Sequence, residues 1–546
     1  VVGGRTGRDG IHGATFSSVE LSEESENVSS GAVQIGNAIE EKRMMDCLLA
    51  ARDEKLYSAV TDCGAGGLSS AVGEMGEKIG AEVHLERVPL KYAGLSYTEV
   101  WISEAQERMV LAVPEDKLQR LLHVFAAEDV EATPIGSFTG DGRLVLYYNG
   151  AEVCRLDMDF LHNGLPRLHR EAAPPKPIKR SYRPCVRDAG KFDEVLPALL
   201  SELNVASKHW IIRQYDHEVQ ANTVLKPLVG ANDDGPSDGC VVRPVPGIDR
   251  AIALAVGLNP LLGDLSSCQM AANAVDEAVR NVVCCGADPS RIALLDNFSW
   301  GNTDEPEQLG ALVEACRACY DVAVIYRTPF ISGKDSLHNE FESGGRRISI
   351  PYTLLISAIG IIEDASLITS MDIKRPDSLL YLVGVTRAEI GGSHFLKVLG
   401  EQGRREDVPC VRPDEGIRAI RAAAAAIRSR SVLACHDLSE GGLAVAAAEM
   451  AFAGGTGAVI DVKPVVERGV SAAEALFSES PSRFLVETPR ECKGDFEEAV
   501  RSAGADFTLI GASFAEPTLM LLNGDAVLAE LPLDMLKAAW LKPLDW

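Results

Sequence analysis

Apolar residues along the chain fall into two rhythms. Short continuous runs predict strands: "YSAVT" (Tyr57–Thr61), "CVVRPVP" (Cys240–Pro246), "AIALAVG" (Ala251–Gly257) and Leu379–Val383. Longer amphipathic stretches predict helices, as in "MAANAVDEAVRNVVCCG" (Met270–Gly286) and the segment from Glu307 to Cys319. "EACRACYDVAV" (Glu314–Val324) reads as a helix running into a strand, with Cys316 and Cys319 as two buried thiols. "YTEVW" (Tyr97–Trp101), rich in aromatic and β-branched residues, reads as strand-like. The proline-rich, basic "REAAPPKPIKRSYRP" (Arg170–Pro184) reads as a linker.

The patterning repeats. "TDCGAGGLSSAVGEM" (Thr61–Met75) parallels "HDLSEGGLAVAAAEM" (His436–Met450) at a spacing of 375 residues. At the same spacing "SEAQER" (Ser103–Arg108) falls on "SESPSR" (Ser478–Arg483), and Ile135-Gly136 on Ile510-Gly511. The chain therefore contains two copies of one domain. The second is preceded by the apolar strand Leu379–Val383 and a loop with Gly391-Gly392, whereas the first opens on "VVGGRTGRDGIHG" with only Val1-Val2 before its glycines. The expectation is that the chain starts inside a strand. The expected organisation is a first copy over 1–170, a linker over 171–194, a different α/β domain over 195–370 and the second copy over 371–546. The fold class expected is α/β (α+β) throughout.

Composition narrows the chemistry. With a net charge of −26 the chain has no basic field for nucleic acid, so a phosphate ligand would need local cations, helix N-termini or Mg²⁺. No apolar run approaches the about 20 residues of a membrane span. Thirteen cysteines follow no disulfide framework, and a single CxxC is weak evidence for zinc. The expected compartment is the cytoplasm.

Several loops could carry chemistry. Asp62, where a strand meets a glycine loop and a helix, suits Mg²⁺ held against a phosphate, and equally suits a helix cap. Glu104 and Gln106 offer an acceptor and an amide, although Glu104–Arg108 would also make an ordinary i,i+4 pair. The second copy keeps Glu479 but has Pro481 in place of Gln106. Glu277 and Asn281 share a helical face and suit a hard cation or plain solvation. "SGKDS" (Ser332–Ser336) combines glycine, a cation and hydroxyls, a weak phosphate motif by itself.

Taken together, "GGRTGRDGIHGATF", "VQIGNA", "TDCGAGGLSS", "SEAQERM", "DNFSWGN", "SGKDSL" and "HDLSEGGLAVA" resemble phosphoribosylformylglycinamidine synthase (FGAM synthetase), in family order over nearly the whole chain. The resemblance implies duplicated aminoimidazole ribonucleotide synthetase-like A–B units, present here as B1–A2–B2. It implies ATP-dependent conversion of the formylglycinamide ribonucleotide amide into an amidine, with ammonia from a glutaminase subunit or domain. No cysteine here sits in a recognisable glutaminase nucleophile motif. By motif, Gln34, Glu104, Ala105, Gln106 and Ser336 would contact the substrate, Asp296, Gly333 and Lys334 would contact ATP, and Asp62 would bind Mg²⁺. Lys334 departs from members with asparagine there, and an ammonium cannot ligate a cation. The family's catalytic histidine and first N-terminal domain would lie upstream of residue 1, so this chain alone is expected to lack a complete active site. A second nucleotide site, holding Mg²⁺ and ADP, would use Glu277, Asn281 and Asp437. Two other readings stand beside this one: a non-catalytic nucleotide-binding subunit that needs a separate chain, and another ATP-dependent phosphotransferase of the same superfamily.

Overall fold

The computed structural model describes residues 1–11, 21–22, 36–175, 191–401 and 403–545; Gln34 and most of the expected linker lie outside the described residues. The chain forms two compact units, Val1–Arg170 with His338–Ile348, and Glu171–Leu337 with Ser349–Trp546.

In the first unit β1 (Val2–Gly3) precedes α1 (Ala38–Asp53), β2 (Ala59–Asp62) and α2 (Leu68–Gly76). Then come β3 (Ala81–His84), α3 (Tyr97–Ile102), β4 (Arg108–Ala112), α4 (Leu118–Ala126), β5 (Gly136–Phe138), β6 (Arg143–Tyr148) and β7 (Ala151–Asp157). The strands form two sheets, ordered β2-β4-β1 and β5-β3-β6-β7. The strand expected at Tyr97–Trp101 is helix α3 instead. Ser96 accepts the Glu99 amide and Glu99 accepts the Ser96 amide, and this capping box overrides the β-leaning composition. The strand comes later, as β4.

The second unit opens with the middle domain: β8 (Thr223–Leu225), β9 (Cys240–Val242), β10 (Ala251–Gly257), α5 (Ser267–Cys284), β11 (Ile292–Ser299), α6 (Pro306–Tyr326), β12 (Phe330–Ser336) and β13 (Thr353–Ile362). Its sheet is ordered β12-β11-β13-β10-β9-β8, with β11 and β12 parallel. Helix α6 runs through the segment expected to turn into a strand. Ala315, Cys319, Val322 and Tyr326 keep a helical spacing on the buried face, so the core extends the helix to Tyr326. Cys319 is buried but Cys316 is exposed, so the pair is not two buried thiols.

The second copy follows, with β14 (Ser378–Val383), α7 (Pro413–Arg428), β15 (Ala434–Asp437), α8 (Gly442–Gly454), β16 (Gly457–Asp461), α9 (Ala472–Phe477), β17 (Phe484–Pro489), β18 (Phe507–Phe514), β19 (Thr518–Asn523) and β20 (Ala526–Pro532). Its seven strands make one sheet, β15-β17-β14-β18-β16-β19-β20. That is the strand order of the first unit with its two sheets joined. Every residue of β14 is buried, as suits a central strand covered on both faces. Middle domain and second copy share one hydrophobic core, in which α5 buries nearly its whole surface. Among the described residues no helix is long and apolar enough to cross a membrane.

Candidate functional site

The first copy's glycine loop is built by a close backbone approach. Gly67, at φ +58°, would place a Cβ 1.9 Å from the Ser103 carbonyl oxygen, so glycine is required there. Gly67 is also the N-cap of α2, without a side-chain cap, so Asp62 is not the helix cap. Asp62 ends β2 opposite Met109 with an exposed side chain.

Beneath the loop, Glu104 is 7% exposed and its Oε1 accepts the Gly66 amide at 3.1 Å. The alternative Glu104–Arg108 pair does not form, because Arg108 belongs to β4 and turns inward. It donates Nε to Ala105 O at 2.9 Å, Nη1 to Thr6 Oγ1 at 2.8 Å and Nη2 to Ser103 O. Burial holds its guanidinium below the usual arginine range. This clamp fixes the turn in which Glu107 is left-handed (φ +54°). Ala105 is buried, while Gln106 is exposed and donates from Nε2 to Glu104 O at 3.2 Å.

In the middle domain β11 and β12 set Asp296 directly opposite Gly333. A Cβ on Gly333 would lie 2.2 Å from Asp296 Oδ1, so the carboxylate lies over the glycine backbone. Burial, and then the nearby Asp335, raise the Asp296 carboxyl above its ordinary value. "SGKDS" lies within edge strand β12. Lys334 is exposed, with Nζ 2.9 Å from Ser336 Oγ.

The second copy repeats the loop closely. Gly442, at φ +65°, meets Ser478 O as Gly67 meets Ser103 O. Glu479 Oε1 accepts the Gly441 amide at 2.9 Å and the His394 amide at 2.8 Å. Arg483 donates to Ser480 O, Thr386 Oγ1 and Ser478 O at 2.7, 2.9 and 2.6 Å.

What surrounds this loop differs. Asp437 is 3% exposed and its Oδ2 accepts from Arg280 Nη2 at 2.9 Å. Burial outweighs that guanidinium and raises the Asp437 carboxyl to about 6. Glu277 Oε2 accepts the Leu258 amide at 3.0 Å; burial, then Glu440 and Asp437, hold its carboxyl well above the ordinary range. Asn281 donates to Val256 O at 2.9 Å, and among the described residues its buried Oδ1 has no partner, nor has buried Glu479 Oε2. Glu277, Asp437 and the orphaned Asn281 oxygen fit a hard cation. Arg280, already paired with Asp437, competes for that carboxylate.

Sequence reasoning missed Asp238, Glu449, Glu440 and Asp276. Asp238, His436 and Asp437 each offer a ligand atom within 4.8 Å of the others. Both His436 nitrogens are already engaged, Nδ1 by Asp238 Oδ1 at 2.7 Å and Nε2 by Glu449 Oε2 at 3.0 Å. Burial works against the His436 imidazolium, but Asp238 and Glu449 outweigh it and hold its pKa well above the ordinary histidine value; with both nitrogens engaged, neither is open to a metal in this arrangement. Asp276, fully buried on α5, accepts from Arg280, Tyr326 and both the amide and hydroxyl of Ser482, tying α5 to the second copy's turn.

A twice-used glycine-loop domain flanking a different α/β domain defines the class. The family described as AIR synthase related protein, C-terminal domain, matches residues 1–149 and 375–521, and its N-terminal domain counterpart matches 237–362. The protein named phosphoribosylformylglycinamidine synthase subunit PurL of Thermococcus sibiricus is 34% identical, over 99% of this chain and 72% of its own length. The chain belongs to that PurL family. The structure of T. maritima PurL complexed with FGAR (formylglycinamide ribonucleotide) has the same fold, with a TM-score of 0.63 at 23% identity over 94% of this chain and 71% of its own. The same holds for T. maritima PurL complexed with ATP, with a TM-score of 0.60 at 22% identity over 94% and 69%.

Proposed function

We propose that this chain acts in the ATP-dependent conversion of FGAR to its amidine, FGAM, in purine biosynthesis, and that the first copy's glycine loop and strands β11 and β12 supply the contacts. The observation that carries the reading is the relation to a PurL subunit over 99% of the chain. In this ligase chemistry ATP phosphorylates the amide oxygen, and ammonia then displaces phosphate at the imidate carbon. Glu104, Ala105, Gln106 and Ser336 contact the ribonucleotide, with Gln34 assigned the same role by motif alone. Asp296, Gly333 and Lys334 meet the nucleotide, Lys334 as a point charge for phosphate. Asp62 holds Mg²⁺; its exposed carboxylate, which caps no helix, is suited to a hard cation. When bound, that ion neutralises phosphate charge. Ammonia comes from a glutaminase partner, a role in keeping with the relative's designation as a subunit.

The test is a Mg²⁺ titration of the assembled synthetase carrying Asp62→Asn. The expected result is a large rise in the Mg²⁺ needed for half-maximal rate, with unfolding shifted by no more than about 0.5 kcal/mol. An unchanged Mg²⁺ dependence overturns the assignment.

For the second copy we propose a Mg²⁺–ADP site on Glu277, Asn281 and Asp437, supported by the orphaned Asn281 oxygen. Calorimetry should show Mg-ADP binding that is weakened by Asn281→Leu. Equal binding by that variant contradicts the site.

A further inference from the structure

The two copies treat one acid differently. At the spacing of 375 residues Glu131 of the first copy falls on Asp506 of the second. Their backbones do the same work: Glu131 O accepts the Gly3 amide, and Asp506 O accepts the Gly384 amide. Between that glycine and the threonine of the arginine clamp the first copy has Gly4-Arg5, and the second has Val385 alone. Arg5 pairs with Glu131 at 2.8 Å. With valine in its place, the exposed Asp506 carboxylate has no cation or hydrogen-bond donor among the described residues.

Asp506 lines a cavity of about 190 Å³ within the second copy, bounded by the segment after β14, the start of α7 and the turn at Pro481-Ser482. Ser482 holds that turn in place, because its amide and hydroxyl both donate to buried Asp276. Three guanidiniums line the cavity, and two are already neutralised. Arg387 pairs with Glu415 at 2.6 Å and Arg412 with Glu389 at 2.9 Å. The third, Arg418, is exposed and has no partner among the described residues. Its stem lies beside Gly504, where a Cβ would meet Arg418 Cδ at 3.4 Å. The cavity therefore presents one uncompensated guanidinium and one uncompensated carboxylate, which do not pair with each other.

That balance selects the ligand. A doubly charged oxyanion such as phosphate would face one free guanidinium with Asp506 set against it. A molecule carrying one charge of each sign satisfies both groups at once. The rest of the wall includes Val385, Ala419, Pro481 and Ala505, all small and aliphatic. At ~30 Å³ per water the cavity has room for about six, well under the roughly 300 Å³ at which sites for drug-sized ligands begin. We propose that this cavity binds a free α-amino acid with a short aliphatic side chain, its carboxylate on Arg418, its ammonium on Asp506 and its side chain against Val385 and Pro481. The first copy cannot offer the same pair of charges, because Arg5 neutralises Glu131.

The test titrates L-valine into the full chain, read by calorimetry, beside isovalerate and isobutylamine, which keep the side chain and one charge each. L-valine should bind saturably, and each single-charge analogue about tenfold or more weakly. Arg418→Gln and Asp506→Asn should each weaken L-valine binding about tenfold. Both side chains are exposed, so both variants should unfold at the midpoint of the natural protein. Should either variant misfold, the two analogues decide. No saturable binding of L-valine, equal binding of either analogue, or unchanged binding in either folded variant overturns the proposal. Displacement of L-valine by inorganic phosphate at equal concentration would assign the cavity to an oxyanion and overturn it as well.

Discussion

Beneath the first glycine loop Glu104 accepts the Gly66 amide, and beneath the second Glu479 accepts those of Gly441 and His394. The arginine clamps match atom for atom, Arg108 to Ala105, Thr6 and Ser103, and Arg483 to Ser480, Thr386 and Ser478. The loops themselves have diverged. Asp62 and Gln106 are exposed, whereas Asp437 is buried against Arg280 of the middle domain and Pro481 stands buried where Gln106 was. A guanidinium spending its donors on backbone and hydroxyl oxygens fixes the turn whatever the loop carries. The frame can therefore stay constant while the ligand chemistry changes.

The largest effect should come from the frame. Arg108→Met and Arg483→Met each strand three buried acceptors at about 1–3 kcal/mol apiece, so each should cost about 3 kcal/mol or more in urea unfolding. Arg483 should cost more, because it is wholly buried and lies in the larger core. A loss confined to one copy would break the equivalence.

A smaller effect should appear as pH dependence in the second copy. Burial works against the His394 imidazolium, but the Glu479 carboxylate outweighs it and the pKa is raised above the ordinary histidine value. A raised folded-state pKa contributes stability that is fully present below the unfolded pKa of about 6.5 and is lost as pH rises through the folded value. The stability gap between the natural protein and His394→Gln should be wider at pH 6 than at pH 8.5, measured by chemical denaturation. A gap independent of pH would show that the pair does not couple to folding.

Much of this frame was legible in the sequence, because glycines forced by backbone clashes and residues held by buried clamps recur at a fixed spacing. Glu104 and Glu479, Arg108 and Arg483, and the strand before each loop all emerge from that register. What escaped was decided by tertiary context. The capping box at Ser96 turned a β-leaning stretch into α3, and the shared core drew α6 past Cys319 to Tyr326. Asp238 gave no signal because its partner, His436, is distant in sequence, and Glu449 showed only as the repeat of Glu74, with nothing to say that it pairs with His436. The cap reading of Asp62 failed because the chain has glycine at the capping position.

The central claim is that the first copy, and not the second, carries the substrate loop. It is tested most directly by calorimetric titration of FGAR into the assembled synthetase carrying Gln106→Ala or Pro481→Ala. The account predicts that Gln106→Ala weakens binding about tenfold or more, ~1.4 kcal/mol, while Pro481→Ala leaves the affinity unchanged. Unaltered affinity in Gln106→Ala, or a comparable loss in Pro481→Ala, would contradict it.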